Sequence, residues 1–171
     1  MSLGVPFTFR DMGPAVVEFD GTALGETFDS GIVFKDEQTA EDVFELAHGG
    51  APVDGVLTGK SVSGEITLTR LTLAELAILI PGATIAGDVL TVANQVGGAM
   101  YDSAKEMIIK PMANAAASVD PGEWFTVFKT YIIEATEFVF DLTSQRSVKI
   151  IVKVFPSDTS PNVGDFYKQG E

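Results

Sequence analysis

Period-two alternation limits most what this chain can fold into. From Val62 to Arg70, Val62, Ile66 and Leu68 fall on one side of an extended backbone, and Ser63, Glu65, Thr67 and Thr69 on the other. Successive side chains of a strand point to opposite faces, so one face of this segment meets a core and the other meets water. Glu137 to Leu142 alternates in the same way, with Phe138, Phe140 and Leu142 opposed by Glu137, Val139 and Asp141. Val148 to Phe155 puts Val148, Ile150, Val152 and Val154 on one face and also places Ile151 and Phe155 on the other, which predicts a strand covered on both sides. Val16 to Phe19, Ile32 to Phe34, Asp42 to Ala47, Asp88 to Ala93, Glu106 to Lys110 and Glu123 to Ile133 read as further strands, separated by Gly, Asp, Asn and Pro. A chain of 171 residues, 46% apolar, has room for one domain with a sizeable core. The pattern predicts a mainly β fold in a single domain over residues 1–171.

One segment breaks the alternation. Thr72-Leu73-Ala74-Glu75 has the form of a capping box, and Pro81 stops the helix it opens at about Ile80. Leu73, Leu76, Ile78 and Leu79 make this helix apolar all round. Such a helix is buried all round. A sheet can cover one side, and a second subunit is the natural cover for the other. Three segments read as extended or mobile: an N-terminal arm over 1–13, a Gly-rich loop over 48–60 that includes Pro52, Val53, Asp54, Val56 and Leu57, and a polar C-terminal tail over 157–171.

Charge and composition exclude several functions. The net charge of −13 argues against tight binding to phosphate backbones, which needs clustered Lys and Arg. The chain has no cysteine, so neither disulfides nor thiolate metal sites are available. The one histidine, His48, sits beside Gly49 and Gly50 with no nucleophile motif in the chain. Gly55 to Ser61 approaches a phosphate-binding loop, but three residues separate Gly55 from Gly59 where four are needed. Asp20, Glu26 and Asp29 could offer oxygen ligands, yet their spacing matches no EF-hand loop. Trp124, Phe125, Phe128, Phe138 and Phe140 could stack sugars, but in strand-like runs such residues fill cores. No segment has the roughly 18–20 apolar residues that span a bilayer, and no signal-peptide pattern opens the chain. The reading is a chain without catalytic residues, cofactor or metal, cytosolic when made and not inserted in a membrane.

The order of features carries a resemblance. Leu24-Gly25-Glu26-Thr27 and Gly31-Ile32-Val33-Phe34, the stretch Ala51 to Asp54 ending in Thr58-Gly59, the strand Ser63 to Thr69, the helix Thr72 to Leu76 closed by Pro81-Gly82-Ala83, and Ser103 to Pro111 follow one another as in the major tail-tube proteins of long-tailed bacteriophages. The resemblance covers roughly residues 14 to 158 and is one of order and pattern. It implies a tail-tube fold, a two-sheet, barrel-like β-sandwich with one flanking α-helix, and a non-enzymatic subunit that stacks as hexameric rings into a helical tube. It further implies a place in the virion tail, with the tape-measure protein and DNA in the channel during ejection, no sequence-specific DNA contact, and a sheath protein as partner where the tail contracts. On this reading 48–60 bridges successive rings, and the acids opposite the apolar strand faces, Glu18, Glu65, Glu137 and Asp141, are candidates to face the lumen. An inner tube of a contractile injection system shares the fold. A carbohydrate-binding or adhesin sandwich is the alternative of another class.

Overall fold

A computed structural model describes residues 14–45, 49, 51–94, 96–113, 116–134 and 147–170, without the side chains at 26, 28–30 and 113. The expected arm over 1–13, His48, and the strand carrying Glu137 and Asp141 lie outside the described residues.

Among the described residues ten strands and one α-helix follow in the order β1 Ala15–Phe19, β2 Thr22–Phe44, β3 Pro52–Thr69, α1 Leu73–Leu79, β4 Ala83–Ala86, β5 Val89–Val92, β6 Lys105–Ala113, β7 Ala116–Ala117, β8 Phe125–Glu134, β9 Ser147–Phe155 and β10 Tyr167–Gln169. β1 and β2 turn over Asp20-Gly21, both at positive φ, as a two-residue hairpin with right-handed strand twist requires. β6 pairs with both β1 and β8, and so joins the two ends of the run β1-β2-β3-β9-β8. Six antiparallel strands therefore close into a barrel, in the mainly β fold that the alternation implied, with the one α-helix that the capping box announced. β4 and β5 form a separate hairpin beside the helix.

The core fills the barrel. Val62, Ile66 and Leu68 of β3 and Val148, Ile150, Val152 and Val154 of β9 point inward, as their alternation predicts, against Val17, Leu24, Met107 and Val127. The second face of β9 is only half covered: Ile151 and Phe155 share it with Lys149 and Lys153, and Tyr101 meets the Phe155 ring edge-on at 5.8 Å. Thr130 is wholly buried, and its hydroxyl has no hydrogen-bond partner. An unpaired buried hydroxyl is costly, so Thr130→Val is expected to raise unfolding stability by about 1 kcal/mol. A lower urea midpoint for that variant would contradict the inward placement.

α1 begins with the capping box that the sequence implies: the Thr72 hydroxyl accepts from the Glu75 N–H, and the Glu75 carboxylate accepts from the Thr72 N–H. It ends one residue earlier than expected. Its burial is one-sided within the chain. Leu79 is fully buried in the chain's own core, with Leu76 packed against it, while Leu73 and Ile78 remain 38% and 37% exposed. Leu79 is thereby corrected as a candidate contact to a second subunit, because its own barrel already covers it.

Three further expectations are corrected. The Gly-rich stretch 52–60 is strand, part of β3, and the short strand expected at 32–34 and residues 42–44 of the one expected at 42–47 belong to the single long β2. The tail is ordered up to β10: Ser157 is buried, its N–H donates to the Asp165 carbonyl at 2.8 Å, and Phe166 packs against the core. Two adjacent aromatics, Phe166 and Tyr167, anchor a segment that otherwise reads as polar.

Candidate assembly surfaces

The ladder between β2 and β3 outruns the barrel. β3 pairs with β9 only from Val62 onward, and β1 pairs with β2 only as far as Glu26. From Glu37↔Ser61 out to Phe44↔Pro52 the two strands have each other and no third strand among the described residues. Residues 35–45 and 51–61 are all exposed. The ribbon carries Phe44 and Leu57 at 60% and 65% exposure, with Val43, Val53 and Val56. Residues directly opposite share a face. Ala40 and Leu57 thus stand together on one side, and Glu41 with Val56 and Val43 with Asp54 on the other. A lone two-stranded ribbon is marginal in water, and exposed apolar strands invite pairing. Asp36, Glu37, Glu41, Asp42, Glu45 and Asp54 keep this ribbon acidic.

The base of the ribbon is tied to the barrel. Lys60 Nζ lies 2.8 Å from Asp36 Oδ2, and the Tyr167 hydroxyl donates to the same oxygen at 3.2 Å. Lys60 also sits over the Phe166 and Tyr167 rings, at 5.6 and 5.8 Å. The Lys60 ammonium, with the Tyr167 hydroxyl, holds the Asp36 carboxyl below its usual range, and Asp36 in turn raises Lys60. Both groups are therefore charged at neutral pH.

A second feature is a sheet with two open edges. Of the barrel strands, β2-β3-β9-β8 form a continuous wall. Beyond Glu26 the outer edge of β2 is unpaired, and beyond Thr130 so is the edge of β8 that faces away from β9. Backbone donors and acceptors thus stand free on both sides of one wall, among the described residues.

The two described lumen candidates fall on different walls. Glu65 lies on the outer face of β2-β3-β9-β8, with Lys149 Nζ 2.8 Å from its carboxylate. Lys35, Ser63, Lys153 and Tyr131 make the next row of that face. Glu18 lies on β1, in the opposite wall, paired with Lys110, whose ammonium sits 4.3 Å from the Trp124 ring centroid. The structure does not bring Glu18 and Glu65 together. Sequence reasoning missed the lysines Lys149 and Lys153, although they occupy alternate positions of β9.

A third surface joins the exposed side of α1, Leu73 and Ile78, to the β4–β5 hairpin with Ile85, Val89 and Val92. Phe138 and Phe140 lie outside the described residues, and among those described the aromatics are tied into the barrel. Phe125 lies 5.3 Å from Phe34 and 5.1 Å from Tyr167, and the Trp124 indole N–H donates to the Ser118 carbonyl. Among the described residues no group of His, Asp and Glu is placed to hold a metal, and no helix is long and apolar enough to cross a membrane. Asp20 pairs with Lys105, while the side chains of Glu26 and Asp29 lie outside the described residues.

No family model matches the chain. No curated protein matches it either. Among solved structures it is similar to a chain of an extracellular contractile injection system, the PVC sheath–tube complex in its extended state, determined by cryo-EM. The TM-score is 0.58 at 11% identity, over 87% of this chain and 88% of that one. Nearly the whole length of both chains is matched, and the likeness is one of fold.

Proposed function

We propose that this chain is a structural subunit of a tail-type tube. Copies join edge to edge, the open edge of β2 in one beside the open edge of β8 in the next, and the four-stranded walls merge into one continuous barrel around a channel. The observation that carries this reading is the wall with two open edges, since a head-to-tail contact of that kind closes into a ring when its rotation allows. The matched fold in a sheath–tube complex supports it. Hexameric rings follow from the resemblance to phage tail tubes, as do a virion location, a tape-measure protein and DNA passage. The inner tube of a contractile injection system is the second reading, favoured by the neighbour itself, and it brings a sheath as outer partner.

On this reading Glu65 faces the channel and Glu18 does not. The channel wall is then mixed in charge, with Lys35, Lys149 and Lys153 beside Glu65, in a chain that is acidic as a whole. The ribbon projects past the ring to the next one, where its apolar side chains find cover. The exposed pair Leu73 and Ile78 serves contacts between subunits or with an outer partner. An adhesin reading has no comparable support: of the described aromatics it would use, Phe125 packs between Phe34 and Tyr167, and Trp124 lies against Lys110. Negative-stain images of the concentrated protein test the proposal: rings or tubes support it, and isolated monomers at every concentration overturn it.

A further inference from the structure

The ribbon leaves the barrel at Asp36 and Lys60, and the segment that meets it there comes from the far end of the chain. β10 adds to β8 at Phe125–Val127, just before β9 takes over the same edge from Lys129. Several bonds besides β10 fasten this segment. The Ser157 N–H donates to Asp165 and the Gly164 N–H to Ser157, the Phe128 N–H donates to Phe166, and the Gly170 N–H donates to Trp124 at 3.0 Å. Between them Phe166 is packed on the core, and Tyr167 stacks on Phe125, which itself meets Phe34 of β2. Tyr167 and Lys60 then converge on one oxygen of Asp36.

We propose that residues 157–170 are a strap that fixes the direction in which the ribbon leaves the barrel, with Asp36, Lys60 and Tyr167 as its clasp. A two-stranded ribbon with no third strand bends and twists freely about its base unless something holds it. Here the hold is placed at the last rungs before β9 begins, where a small change of angle moves the tip furthest. The clasp is specific, because one carboxylate oxygen accepts from both an ammonium and a phenol, and the lysine also lies over two rings of the strap. Its consequence for assembly rests on the tube reading: an arm that must reach a neighbouring ring is cheaper to dock when already aimed.

The chain lacks cysteine, so paired spin labels can be placed at Asp54→Cys on the ribbon and Glu106→Cys on the barrel without background. In the unassembled protein the parent is expected to give one narrow distance distribution. Asp36→Lys and Tyr167→Ala should each widen it by about twofold or more, as an unheld ribbon samples other angles. Lys60→Arg keeps a cation beside Asp36 and over the two rings and should keep the narrow distribution. Unchanged widths in the single variants overturn the strap, and so does an equal widening in Lys60→Arg. Because the readout is the unassembled subunit, the result is independent of whether tubes form. A narrow distribution lost in the variants of a protein that never assembles would sustain the strap and remove the tube.

Discussion

Replacing Pro52–Leu57 with a Gly-Ser linker is expected to leave a soluble, folded subunit that still forms rings and no longer grows long tubes. The barrel should survive, because β3 does not pair with β9 until Val62 and every residue over 52–57 is exposed. The stacking contact should not, because Val53, Val56 and Leu57 leave with the segment and Phe44 loses its partner strand. Covering one such side chain contributes about 1.5–3 kcal/mol. A contact weakened by 1.4 kcal/mol is already about tenfold less occupied. A tube repeats the contact at every ring, so its mean length should fall by about that factor or more. Lengths measured by electron microscopy check this, with circular dichroism as the control for folding. Parental tube lengths from the variant would remove the ribbon from the stacking interface.

Gly25→Ala is expected to destabilise the fold by about 3 kcal/mol or more, the upper end for overpacking. Gly25 sits at a bulge, where the β1–β2 register shifts between Val16↔Glu26 and Val17↔Leu24. A Cβ there would stand 2.2 Å from the Thr69 carbonyl oxygen, which is backbone held in the β2–β3 ladder and cannot swing aside. Gly64 makes the comparison. A Cβ at Gly64 would stand 2.6 Å from Phe34 Cε1 and 2.9 Å from Val152 Cγ2, both side-chain atoms. Gly64→Ala should therefore cost less, about 1–3 kcal/mol, with Phe34 displaced from Phe125. Urea unfolding of both variants checks the order. A cost below about 1 kcal/mol for Gly25→Ala would mean that β2 and β3 are not this close at the bulge.

The sequence was readable wherever a core sorted its residues. β3 from Val62 and β9 alternate because one face is inside the barrel, and the helix is announced by Thr72 and Glu75 and closed by Pro81. The ribbon was not readable for the converse reason. Both of its faces meet solvent within the chain, so polarity has nothing to alternate against, and Gly55 and Gly59 look like loop residues. What keeps it a strand is the backbone ladder with β2, which composition does not report. The strap was missed because its polar residues outnumber Phe166 and Tyr167, although two adjacent aromatics in a polar stretch are a packing signal. Asp20-Gly21 was a hairpin signal in plain view. Of the candidate lumen acids, alternation placed Glu18 and Glu65 correctly on outward faces. Which wall each occupies depends on closure of the barrel through β6, a non-local pairing no local pattern carries.

In an assembled tube the wall β2-β3-β9-β8 is expected to continue from subunit to subunit through its two open edges. A cryo-EM reconstruction of the assembled protein tests it most directly. The expected result is a closed ring in which residues 31–35 of one copy lie beside 131–134 of the next at strand spacing, with Glu65, Lys149 and Lys153 facing the channel. A ring whose copies meet through β1 and β6, or one that turns Glu65 to the outer surface, would contradict it.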